Sequence, residues 1–193
     1  MGVRRIIRFI ARGAATLPLF AFGHSSEFLD AKFYFDDSGI AHIEITADYG
    51  GNPMLSNQDE AAAALRVALA GYIGERERPL TEFAPVTIAP RDKPDPDSPM
   101  PSGPVDPKTP HQLLTASWQW RPNVESLSFI VPQESNQTLI FWMKEKGIKE
   151  PRWKMLMPGE STPPIAVPPP PANPPWVFAL LLVPLAVLCL RRS

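Results

Sequence analysis

The chain has 193 residues, a formal net charge of −1 and a single cysteine, Cys189. One thiol excludes a disulfide framework and a zinc–thiolate centre. Setting aside the four arginines before residue 23 and the two at the end leaves 13 basic against 20 acidic residues between His24 and Pro175, a middle region of about −7. That balance, with no basic run carrying interleaved aromatics, argues against nucleic acid as a partner.

The chain starts with Arg4, Arg5, Arg8 and Arg12, then the apolar run Ala14 to Phe22. Small residues, Ala21 and Gly23, stand at the −3 and −1 positions of a cut before His24. This is the layout of a secretory signal peptide over residues 1–23.

Residues 24–157 are expected to form one extracytoplasmic, β-rich domain. FLDAKFYF and IAHIEITADY read as two strands around the turn Asp36-Asp37-Ser38-Gly39. In the second run Ile43, Ile45 and Ala47 alternate with His42, Glu44 and Thr46, giving one buried and one wet face. SNQDEAAAALRVALAGYIGERER reads as one helix, with Ser56 as N-cap, Asp59 and Glu60 in the first turn, and Leu65, Leu69, Tyr72 and Ile73 as a buried stripe. Gly74 and Pro79 are expected to end it.

Further strands are expected at Phe83–Ala89, Leu113–Trp120, Ser126–Val131, Thr138–Lys144 and Arg152–Met157. In Leu139 to Met143 both faces are apolar, so the helix is expected to cover one of them. Between these strands, Pro90 to Pro110 holds eight prolines with Asp92, Asp95, Asp97 and Asp106 among them, and is expected to be a long extended loop. Seven short strands with one helix make the expected fold mainly β, an antiparallel sandwich-like domain.

Nine more prolines lie between Pro158 and Pro175, read as a polyproline-like stalk that holds the domain several nanometres from a membrane. Trp176 to Leu190 is then apolar. Fifteen helical residues span roughly 22 Å against a hydrocarbon core of roughly 30 Å, which fits if Trp176 sits at one interface and Arg191 and Arg192 snorkel at the other. The arginine pair puts residues 191–193 in the cytoplasm and the large domain outside it. The expected location is the inner membrane as a single-pass protein, with the domain in the periplasm or beyond.

Asn173-Pro174-Pro175, the apolar run and the arginine pair together resemble bacterial C-terminal sorting signals of the PEP-CTERM type, here without the glutamate usual in that motif. The resemblance covers about 20 residues and implies a bacterial envelope protein. Residues 24–80 also resemble the extracytoplasmic N-terminal domain of HupE/UreJ-type membrane proteins: a start at histidine, a β-hairpin, then an alanine-rich helix ending near Gly71-Tyr72-Ile73. Those proteins are associated with nickel or other metal transport. Their multi-helix transport domain has no counterpart here, so transport is not carried over.

Three sets of residues are candidates for chemistry. His24, if it becomes the mature N-terminus, offers an amine and an imidazole that together suit Cu(II) or Ni(II), with His42 and His111 as candidate further ligands. Against this stands the plain reading of a terminal residue, a solvent-facing strand residue and a loop-end residue. Trp118 and Trp120 share one face of a strand and, if exposed, would make a platform for sugar rings or a protein partner; tryptophan in a sandwich is more often core. The acidic run RDKPDPDSP lacks the glycine and the closing glutamate of a calcium loop.

The sequence contains no HExxH, GxSxG or phosphate-loop motif. The expectation is therefore a non-enzymatic binding or assembly module without a resident cofactor. Its expected partners are the membrane and an envelope protein or polysaccharide. A copper- or nickel-binding accessory domain is the alternative, and a carbohydrate-binding domain the third reading.

Overall fold

A computed structural model describes residues 28–100, 110–144, 148 and 150–169. The signal segment, His24, Trp176 and the arginine pair lie outside the described residues. Among the described residues no helix is long and apolar enough to cross a membrane, and the expected anchor at 176–190 lies outside them.

The strand alternation read from the sequence builds the centre of the fold. β1 (Leu29–Phe35) and β2 (Ala41–Asp48) form an antiparallel hairpin, with Phe33 opposite Ile43 and Ala31 opposite Ile45. The turn between them has Gly39 at φ 78°, a left-handed conformation that glycine takes without steric cost. Asp36 closes it by accepting hydrogen bonds from the backbone N–H groups of Ser38 and Ile40. On β2 pairs β6 (Leu113–Trp120), and on β6 pairs β5 (Thr87–Arg91), both antiparallel.

On its other side β1 pairs with β9 (Leu139–Met143), and this pairing is parallel. β10 (Arg152–Leu156) then closes that edge antiparallel to β9. The six strands run β10-β9-β1-β2-β6-β5. The principal sheet is thus mixed, where an antiparallel one was expected. Alternation fixes which face of a strand is buried and leaves its direction open.

A second layer covers the face that carries Leu29, Phe33, Ile43, Ile45, Leu114, Trp118 and Phe141. It consists of α1 (Gln58–Val67), an antiparallel three-stranded sheet and a two-stranded one. The three-stranded sheet joins β3 (Ala70–Ile73), β4 (Arg76–Pro79) and β8 (Phe129–Ile130) in the order β4-β3-β8. The two-stranded sheet pairs β7 (Ser126–Leu127) with β11 (Ile165–Ala166). A short 3-10 turn, Leu80–Glu82, precedes the strand expected at 83–89, of which only residues 87–89 lie in β5. The described chain is therefore mainly β with mixed and antiparallel sheets and one α-helix.

The expected helix is half as long as its four-residue repeat suggested. It stops at Val67; Ala61, Leu65 and Leu69 are buried, while Ile73 is exposed on a strand. Gly74, at φ 62°, makes the tight β3–β4 turn with Glu75 and does not stop a helix. Gly71 admits the ring of Phe83, whose Cζ would lie 2.8 Å from an added Cβ.

The N-cap is Asn57, not Ser56. Its side chain accepts from the N–H of Glu60 at 2.9 Å, and the Glu60 carboxylate accepts from the N–H of Ser56 at 2.8 Å. Asn57→Ala is expected to cost about 1 kcal/mol and Ser56→Ala little, because only the first removes a cap. Urea midpoints of the two variants check this.

The first half of the acidic proline loop is also structured. Residues 92–98 form a strap against the outer face of the principal sheet, the face opposite the core. Asp95 is buried there and pairs with Lys32 at 2.7 Å and Arg91 at 3.3 Å, and Asp97 pairs with Lys144. Beneath the strap Trp142 is fully buried, with the Lys32 ammonium 5.2 Å from its ring centroid and its indole N–H donating to Asp30 at 2.5 Å. The second apolar face of β9 is thus covered by a charged cluster, and the helix lies on the other side of the sheet.

Residues 158–169, expected to begin the stalk, belong to the domain. Thr162 and Ile165 are buried. Thr162 and Phe129 are joined by two bonds: Phe129 N–H to Thr162 Oγ1 at 3.0 Å and Thr162 N–H to the Phe129 carbonyl at 2.8 Å. Val167 N–H donates to the Glu125 carbonyl at 2.9 Å.

Candidate functional site

The docking of residues 162–169 onto the second layer leaves a gap at the open end of the two layers. On one side stand the ends of β1, β9 and β10; on the other runs the segment from Thr162 to Pro169. The gap is a cleft of about 810 Å³, within the range of small-molecule sites. Its interior is apolar: Phe35, Phe141, Met143, Ile165 and Val167, with Pro163, Pro164, Pro168 and Pro169 along the wall. Phe141 and Ile165 are buried, and Phe35, Met143 and Val167 pack against the core.

The rim is polar and aromatic. Arg152 and Lys154 are two residues apart on β10 and so lie on one face, the face toward the cleft. Lys154 Nζ donates to the carbonyl of Ser161 at 3.0 Å. Between them Trp153 is directed to the other face of the same edge strand and is 60% exposed, and the residue borders the cleft. Opposite lies the β1–β2 turn with Tyr34, Asp36 and Asp37. Hydrogen bonds from Ser38, the backbone of Ile40 and His42 hold the Asp36 carboxyl well below its ordinary range, so it stays ionised.

The sequence-derived candidates fall elsewhere. Trp118 is 2% exposed and faces the core, and Trp120 packs on Phe83 and Phe129 at centroid distances of 5.5 and 6.4 Å. They do share a face, but it is the buried one, because their register partners are Ile43 and Ala41. Trp118 is buried and Trp120 partly buried, so the pair forms no exposed platform; among the described residues the exposed tryptophan is Trp153.

His42 and His111 do not converge. His42 stacks on Tyr34 at 4.7 Å and bonds Asp36 Oδ2 through Nε2 at 3.1 Å. His111 bonds Asp48 Oδ2 through Nδ1 at 2.5 Å. The carboxylate that holds His111 is six residues along β2 from His42, which separates the two sites by about 20 Å. Among the described residues no group of three or more histidine, cysteine, aspartate or glutamate side chains could hold a metal. His24, the third member of the copper or nickel set, lies outside the described residues.

The charged cluster beneath the strap was legible only as separate residues. Burial raises the Asp30 carboxyl above its ordinary pKa, against the opposing hydrogen bonds from Ser98 and Trp142. Asp95 moves the other way. Burial alone would raise it, but hydrogen bonds from Lys32 and the Asp97 N–H and the charges of Lys32 and Arg91 hold it low. Arg91 also reaches Glu44 at 3.5 Å. These carboxylates and cations are paired with one another, and their geometry closes the strap onto the sheet.

The cleft was missed because its far wall came from a segment read as stalk. A signal was present: Thr162, Ile165 and Val167 interrupt the prolines with β-branched residues suited to strand pairing. No protein-family model, no curated protein and no solved structure matches the chain.

Proposed function

We propose that this chain is a membrane-anchored, extracytoplasmic binding module of a bacterial envelope, which holds its ligand in the cleft between β10 and residues 162–169 and performs no catalysis. The cleft carries the reading: it joins an apolar interior to an aromatic and cationic rim, the composition of a site that retains a ligand. Support also comes from the two ends of the sequence, whose basic leader and terminal arginine pair favour one topology. The pairing of the outer-face carboxylates and cations with one another favours a structural role for that cluster over acid–base work.

Two measurements test the reading. Protease added to intact spheroplasts is expected to degrade the domain, and carbonate washing is expected to leave the chain in the membrane; protection from protease overturns the topology. A photo-cross-linking amino acid at position 153 is expected to capture a ligand in living cells, while the same group at exposed Val67, on the helix, does not capture it. Equal or absent capture at both positions overturns the cleft as the binding site.

A further inference from the structure

A second cavity, of about 580 Å³, lies where the last turn of α1, the β3–β4 hairpin and the turn after β8 meet. It shares no lining residue with the cleft, so a reading of one stands or falls apart from a reading of the other. Val67, Leu69, Pro79 and Pro132 give it apolar sides.

The charge along it has one sign. Glu77 and Glu134 line it, and among the described residues no lysine, arginine or histidine does. Neither carboxylate has an ion-pair or hydrogen-bond partner among the described residues. Arg78, next to Glu77 on β4, is held by Glu82 at 3.1 Å. The helix adds to this sign: Ala64 and Val67 belong to its last turn, where the carbonyls carry the negative pole of the α1 dipole. Arg66, the basic residue of that turn, is exposed and does not line the cavity.

Gln137 separates this cavity from an ordinary acidic surface. It is 3% exposed and forms part of the wall. Its backbone N–H donates to Ser135 Oγ and its Nε2 to Asn136 Oδ1, both at 3.1 Å. The second bond orients the amide and leaves Oε1 buried with no donor among the described residues. A buried acceptor without a partner is costly and uncommon, and a donor held in the cavity relieves it.

The missing partner is thus a donor, and the two carboxylates favour a cation. A hard metal ion wants about six to eight oxygen ligands and gains nothing from aliphatic walls. A primary ammonium brings three N–H donors on a carbon chain that apolar walls shelter from water. The volume is that of a small organic ligand.

We propose that this cavity binds a small primary alkylammonium ion, its N–H groups on Gln137 Oε1, Glu77 and Glu134 and its alkyl chain against Val67, Leu69 and Pro132.

The full-length protein, in nanodiscs of saturated phosphatidylcholine, is titrated with trifluorobutylamine and followed by fluorine NMR, with empty nanodiscs as the blank. Salt is kept at about 0.15 M, which screens exposed charges beyond roughly 8 Å. The expected result is saturable line broadening that butylamine reverses and that trifluorobutanol, the neutral analogue, does not show. Glu77→Gln combined with Glu134→Gln is expected to raise the concentration needed tenfold or more. Gln137→Met, which keeps the length of the side chain and loses the amide oxygen, is expected to raise it severalfold. Glu75→Gln, in the β3–β4 turn and outside the cavity, is expected to leave it unchanged. Circular dichroism confirms that each variant is folded, and the carboxylate pair decides the matter if Gln137→Met is not.

Equal broadening of the neutral alcohol, or an equal loss in Glu75→Gln, overturns the proposal, since the site would then not select a cation at these residues. Displacement of the amine by calcium at a lower concentration than butylamine requires overturns this ligand class in favour of a metal ion. Parent-like binding in folded Gln137→Met overturns the part given to Oε1 and, with it, the argument for a buried site.

Discussion

Phe129→Ala is expected to destabilise the domain by about 3–5 kcal/mol, the range for removing a fully buried aromatic ring. Phe129 has no exposed surface, and its ring lies 5.2 Å from Phe33, 5.7 Å from Phe141 and 6.4 Å from Trp120. It is the second-layer member of an aromatic cluster whose other members come from three strands of the principal sheet. Its removal opens a cavity between layers that cannot close without moving both. A loss of that size is a large share of the roughly 5–15 kcal/mol that holds a typical domain folded.

Thr162→Val provides the matched control. It keeps the shape but deletes the acceptor of a buried N–H, so about 1–3 kcal/mol is expected, and it acts on residues 158–169 first. Urea unfolding followed by tryptophan emission and circular dichroism measures both variants. If Thr162→Val shifts the midpoint no more than a surface change does, residues 158–169 are not docked as part of the cooperative unit.

The parts of this fold that could be read from the sequence are those with a short period. β1, β2 and β6 were legible because Ile43, Ile45 and Ala47 alternate with polar residues and because Asp36 to Gly39 is a turn by chemistry alone. The helix was legible at its start and misread at its end: Leu65, Leu69 and Ile73 satisfy a four-residue repeat, yet Ala70 to Pro79 lies in a hairpin, where Ile73 pairs with Arg76. Gly74 fits either reading, since glycine is equally at home at a helix end and in a two-residue strand turn.

The cleft was illegible for a different reason. It depends on a long-range docking, Thr162 onto Phe129, that no local pattern encodes, and on a proline-rich segment whose composition points to solvent. The tryptophans show the same limit. Pattern placed Trp118 and Trp120 on one face, and only the covering layer decides that this face is buried while Trp153 stays exposed.

Asp95→Asn is expected to loosen the strap and to cost about 2–3 kcal/mol at neutral pH, the worth of hydrogen bonds to a charged group in a partly dry site. The Asp95 side chain is 6% exposed and holds both Lys32 and Arg91, so the amide leaves two cations facing a neutral partner. The pH dependence separates this from a packing effect. Asp95 is held below its ordinary value of 3.8, so the folded state binds fewer protons there; its contribution is complete above that value and is lost as pH falls through the lowered one.

Asp30 has the opposite sign. Its pKa is raised above 3.8, so its contribution is present below that value and lost as pH rises through the raised one. Asp30→Asn keeps an oxygen for the Trp142 indole N–H and removes the buried charge, so this variant is expected to match the parent near pH 3 and to exceed it at pH 7. The groups facing the pair are Lys32, Arg91, Glu44, Lys144 and Asp97, and none of them is altered in either variant. Thermal midpoints measured between pH 3 and 7 should therefore diverge in opposite directions for the two amides. Parallel curves would mean that the strap is held by shape, with its charges contributing little.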